Sequence, residues 1–229
     1  MNKVTLFAGL LLMLSCETTS KSISSKNEIP IETKYESIKE NVVKKRNTFY
    51  SESYKRDAIR TYIFKTLKDS IFPIWKGTKW DFNGTTQTPQ DGAIACGYFV
   101  MTTLQDVGFE CDRVKFAQQA SSKIIYAFSD KSDVKIFGNN DFKGFYAHVK
   151  KFKNDLFIVG LDNHVGFVIN DEGNLFAVHS TAWPQGCVVF EPLEQSKVFR
   201  DSKVHYLGRP LNSDLLLKKW RVKETIPLQ

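Results

Sequence analysis

The chain of 229 residues offers no apolar run of the roughly 20 residues that a membrane-spanning helix needs, the stretch at 4–14 being too short. It contains no paired C-x-x-C and no H-E-x-x-H, so the spacings that mark the common zinc sites are missing. Its lysines and arginines exceed its acids by seven, yet they are scattered and nowhere form a basic stripe interleaved with aromatics. That argues against a nucleic-acid partner and for a solvated surface. The chain shows no internal repeat, which argues against a solenoid, and no sign of a second domain. Cysteine and histidine are scarce, four of each. Any thiol or imidazole chemistry must come from those eight side chains.

At its start, MNKVTLFAGLLLMLSC places Lys3 before the apolar residues and a serine before Cys16. This reads as an export signal. The cysteine directly after LeuSer resembles the lipobox of bacterial lipoproteins, with Met13 where leucine is commoner. That resemblance implies lipidation at Cys16 and a chain exported and held at the membrane of the cell envelope. An ordinary signal cut nearby is the alternative, and export follows from either. Residues 17–33 are polar, rich in Ser, Thr and Lys, and free of aromatics. They bury too little to offset the entropy of ordering and are expected to form a flexible tether. Residues 34–229 remain, enough for one domain with a substantial core.

Within that domain, apolar groups at Ala58, Ile59, Tyr62, Ile63 and Leu67 form a helical stripe over 52–69. A loop rich in Gly, Thr, Pro and Gln covers 77–92. An apolar, proline-free segment follows from Cys96 and stops at Gly108, which predicts a buried helix. Further helices are expected over 114–128, over 142–151 behind an Asn140 or Asp141 cap, and over 211–220. Short β-rich runs at 155–161, 164–169, 174–180 and 187–192 are separated by turn-forming residues, and 204–207 adds another. Helices first and an antiparallel meander afterwards is an α+β layout.

One cysteine stands out, in GAIACGYFV at 92–100. If the helix begins at Cys96, unpaired backbone N–H groups face its sulfur and favour the thiolate. The same groups could hold the oxyanion of a tetrahedral intermediate. His164 opens one strand and His179 closes the next, so in an antiparallel hairpin the two rings meet at one end of the sheet. A base whose partner fixes its tautomer is what a nucleophilic cysteine requires. His148 and His205 read as structural. Among the other cysteines, Cys111 paired with Cys187 and Cys96 free is one arrangement, which the sequence does not establish.

The block GTKWDFNGTT…G…CGYFV at 77–100 resembles the first signature of NlpC-type cell-wall peptidases, and HVGFVI…FAVHS at 164–180 is similar to their second. The same order of Cys, His and polar residue marks the wider papain-like superfamily. The resemblance covers residues 75–185 and implies a papain-like α+β fold with the cysteine at a helix start packed on an antiparallel sheet. It implies Cys96 as nucleophile, His164 as general base and then acid, and His179 as the residue orienting His164, with Ser180 a weaker candidate. Trp80 falls where the family has a cleft tyrosine. Gln90, or less favourably Gln87, is placed to donate to an oxyanion. The family's aspartate before the cysteine is replaced by Ala95, so its substrate specificity does not carry over with its chemistry.

The expected activity is hydrolysis of an amide bond in a peptide or in peptidoglycan, through a thioester and without cofactor or metal. The competing readings are a buried inert thiol, a zinc site of Cys96, His164 and His179, a binding module that keeps the fold without turnover, and an acyltransferase.

Overall fold

The computed structural model describes residues 29–228; the expected signal, Cys16 and most of the tether lie outside them. Helix α1 (Ile31–Ser51) buries only Tyr35, Val42, Arg46 and Phe49, a narrow stripe on an otherwise exposed helix. The stripe is pinned by polar contacts: Tyr35 Oη donates to Asp106 at 2.5 Å and accepts from Trp75 Nε1 at 2.7 Å, while Arg46 bonds Gly108 O and Glu110. Residues 31–33, expected in the tether, therefore belong to this helix, which starts at Ile31 directly after the N-cap Pro30.

Helix α2 (Arg56–Thr66) runs through a π-helical turn (Leu67–Ile71) into α3 (Phe72–Trp75), well past the expected end at 69. Pro73 explains the wider turn. It lacks an N–H and its ring crowds the carbonyl one turn earlier, and the π turn just before it opens the backbone there. Next come α4 (Cys96–Asp106), α5 (Arg113–Ala117) and α6 (Ser121–Ala127). The expected single helix over 114–128 is thus broken at 118–120. Packing gives the reason: the rings of Phe116 and Phe128 lie 5.6 Å apart. In one straight helix twelve residues would separate them by about 18 Å.

Strands β1 (Lys135–Phe137), β2 (Asp155–Gly160), β3 (Val165–Asp171), β4 (Asn174–Thr181), β5 (Cys187–Pro192) and β6 (His205–Gly208) form one sheet in the order β1-β6-β2-β3-β4-β5. Every pairing is antiparallel, so the class is α+β. The meander holds for β2 to β5, whereas β6 returns to pair with β2. Among the described residues no helix is long and apolar enough to cross a membrane.

Helices α7 (Phe142–Val149), α8 (Lys197–Arg200) and α9 (Asp214–Val222) complete the fold. Asp141 caps α7 by accepting from Gly144 N, and Ser213 caps α9 by accepting from Leu216 N. Both faces of the sheet are covered. Leu156, Ile158, Phe167 and Ile169 join the large core under α1 to α6, and Phe157, Val159 and Val168 join a smaller one under α7 and α8. Burial on alternate faces is why these strands read as nearly unbroken apolar runs.

Candidate active site

Cys96 is the first residue of α4, after Ala95 in extended conformation (ψ 162°), and no side chain caps the helix. Its first-turn N–H groups are therefore left for other acceptors. The residues leading into it are stitched to the preceding loop: Ala95 N donates to Gly84 O, Ile94 N to Lys79 O and Thr86 N to Ala93 O. Glycine is required at two of these close approaches. A Cβ on Gly84 would lie 2.6 Å from the backbone carbon of Ala93, and one on Gly97 would lie 2.4 Å from Ala117 O. Ser180 Oγ donates to Ile94 O at 2.6 Å, so this hydroxyl secures the approach to Cys96 and not the base.

The hairpin of β3 and β4, closed by Glu172 and Gly173 in left-handed conformation, brings His164 and His179 together. His164 Nε2 and His179 Nδ1 are 2.9 Å apart, with the rings edge to face. Gly166 makes the space, since a Cβ there would stand 2.7 Å from His179 Cβ. His179 is fully buried and rests against the ring of Phe199. Its Nε2 is 3.3 Å from Glu191 Oε1 on β5, and Gln185 Nε2 donates to the other carboxylate oxygen.

This chain of contacts fixes the tautomers. Burial pushes the Glu191 carboxyl up, but the hydrogen bonds it accepts, from His179 foremost, leave it below the usual range and ionised. A carboxylate only accepts, so His179 Nε2 carries a proton. Burial holds His179 below the ordinary imidazole value despite Glu191, so the ring is neutral and its Nδ1 is an acceptor. His164 Nε2 must then donate. Burial, and then the neighbouring His179, hold His164 well below the ordinary value too. Its Nδ1 is left with a free lone pair, as a general base requires.

Cys96 and His164 line one cleft of about 870 Å³. The backbone N–H groups of Val165, the residue after His164, and of Gly97 and Cys96 favour the thiolate form of the Cys96 sulfur. The expected activation of the thiol is corrected in sign. Burial raises the Cys96 pKa and the three N–H groups only partly oppose it, so the thiol is protonated at rest. Trp80 lines the cleft; neither Gln90 nor Gln87 does. Gln90 Nε2 instead donates to Ile74 O and Lys76 O at the end of α3.

Elsewhere, His148 packs between Phe137 and Phe152, and His205 stacks on Phe145 with Nε2 bonded to Phe199 O. Cys111 is a free thiol, so the arrangement pairing it with Cys187 does not form. Among the described residues no three His, Cys, Asp or Glu side chains are grouped to hold a metal ion. His164 and His179 turn their nitrogens to each other.

The sequence alone did not point to Glu191. The signal was strand alternation: Val189 pairs with His179, which puts Glu191 next along the same face of β5. Detecting it required the β4–β5 register. Comparison with family models, with curated proteins and with solved structures finds no match for this chain.

Proposed function

We propose that the protein is a cysteine hydrolase with a papain-like, NlpC-type fold that cleaves an amide bond in a peptide. The relay Glu191–His179–His164, ending in a free Nδ1 beside the cleft that holds Cys96, carries this reading. The Cys96 sulfur attacks the substrate carbonyl while His164 Nδ1 takes the thiol proton. The oxyanion that forms faces the uncapped N–H groups of α4. His164, now an imidazolium steadied by His179 and Glu191, returns the proton to the leaving amine, and water then hydrolyses the thioester. The lipobox-like start of the sequence supports action at the cell envelope, with Cys16 as the lipid-bearing residue.

A binding module without turnover is the second reading, favoured by the protonated resting thiol. Peptide hydrolysis by the wild type, trapping of a peptidyl hydroxamate with hydroxylamine, and loss of both in Cys96→Ala are the expected results. Hydrolysis that persists unchanged in Cys96→Ala overturns the proposal, and absence of both cleavage and acyl-enzyme with every peptide tested leaves the binding module.

A further inference from the structure

The cleft beside Cys96 carries a specificity of its own. Among the described residues that line it, the only ionisable side chains are Cys96, His164 and Tyr98; there is no Asp, Glu, Lys or Arg. In a chain that is 25% charged this leaves the walls of this cleft without a carboxylate or a cation, and Asp162 stands in an adjoining pocket that shares Cys96 and His164. Its walls are aromatic. Trp80 and Tyr98 line it, and Phe82 and Trp183 stand at its sides with 77% and 59% of their surface exposed. Gln118 and Asn163 supply side-chain amides, which donate and accept as a peptide group does.

The charges that border it are engaged with the protein, and Asp162 Oδ2 accepts from Lys203 N. Lys197 lies over the Trp183 ring but pairs with Asp201 at 2.5 Å. Arg113 lies over the Tyr98 ring but donates to Thr102 Oγ1 and to the carbonyls of Thr85 and Thr86. Glu191 is screened behind His179. A charged substrate side chain entering the cleft would lose water and meet no counterion on its walls. An apolar one would gain aromatic contact.

We infer that the cleft selects an uncharged peptide segment, with aromatic or aliphatic side chains on the residues that flank the scissile amide. The inference rests on the hydrolase reading for the position of that bond, but binding tests it separately. Capped pentapeptides carrying Phe, Lys or Glu at the two central positions, with alanine elsewhere, are titrated into the Cys96→Ala protein and followed by tryptophan fluorescence. The same peptides are given to the wild type. The Phe peptide is expected to bind at least about tenfold more tightly than the Lys and Glu peptides. Trp183→Ala should weaken that binding by about threefold to tenfold while leaving the unfolding temperature unchanged. Equal or tighter binding of a charged peptide, tighter binding of neutral chitotriose, or no binding by any peptide overturns the inference. Tight binding of the Phe peptide without cleavage by the wild type leaves the inference standing and removes the hydrolase reading. Preferred binding and cleavage of the Glu peptide does the reverse, and would show that Lys197 leaves Asp201 for the substrate.

Discussion

Replacing Glu191 by glutamine tests the proton relay with minimal change of shape. The carboxylate forces His179 Nε2 to donate because it has only lone pairs to offer. A glutamine has one oxygen and one NH2. Gln185 Nε2 already donates to Oε2 of residue 191, which favours placing the new oxygen on that side and the new NH2 against His179. His179 Nε2 must then accept, its proton moves to Nδ1, and His164 Nε2 becomes the acceptor across their 2.9 Å contact. The remaining proton of His164 sits on Nδ1, and the base is lost. The bias is one neutral hydrogen bond plus the forfeited charge-assisted bond, together about 1.5 to 3 kcal/mol. In a rate this is a fall of about tenfold to a hundredfold in kcat, with KM nearly unchanged. Nitrogen-15 spectra of the imidazoles read the tautomers directly, and a peptide assay reads kcat. The double variant Glu191→Gln/Gln185→Ala removes the bias and should recover part of the rate. A Glu191→Gln protein with kcat within twofold of wild type, or with His164 still protonated at Nε2, would refute the tautomer argument.

Gly166→Ala should abolish activity and cost about 1 to 3 kcal/mol in chemical denaturation, because its Cβ would stand 2.7 Å from His179 Cβ and force the rings apart. Burial raises the Asp106 carboxyl to about 6, against the pull of Tyr35 and Lys39. The native state therefore holds this proton more tightly than the unfolded chain, and the wild type loses stability as pH rises from about 4 to 6. Asp106→Asn keeps an acceptor for Tyr35 and loses the titration, so its stability relative to wild type should climb across that window by about 3 kcal/mol and then level off. The depressed histidines act oppositely, destabilising as pH falls below about 6.5, and cancel when the two urea curves are subtracted at each pH. A flat difference rejects the account. Iodoacetamide should alkylate Cys96 before Cys111, whose thiol burial and then Glu110 and Asp112 push up to about 12. That reaction should slow in His164→Ala, where nothing takes the sulfur's proton; mass spectrometry of the two peptides reports both.

The helix that starts at Cys96 and the hairpin that pairs the two histidines were legible because each follows from local signals. A small-residue approach and a glycine stop bracket α4, and period-two burial with a two-residue turn defines β3 and β4. The break between α5 and α6 was not legible, since it is imposed by Phe116 meeting Phe128 in three dimensions. Nor was α1, whose sparse apolar stripe gives little signal and which is held in part by hydrogen bonds to residues 62 to 71 positions away. Gln90 shows the limit of spacing as an argument: its distance from Cys96 along the chain suited an oxyanion donor, yet at φ +62° its amide turns to the end of α3.

The thiol carries the largest difference between expectation and structure, and it agrees with the rest of the cleft. A thiolate–imidazolium pair at rest would place two charges in a pocket whose lining supplies no other charge, and desolvation opposes both. A neutral pair avoids that cost. On the hydrolase reading, charge separates only when a substrate carbonyl arrives, because the negative charge then leaves the sulfur for an oxygen facing the α4 N–H groups, while the positive charge spreads from His164 toward Glu191. The acid limb of kcat/KM should then lie below pH 6.5, since the base need only be neutral and burial already depresses its pKa. A limb at or above that pH would mean that an imidazolium at His164 is stabilised in the free enzyme. The neutral resting pair would then be wrong.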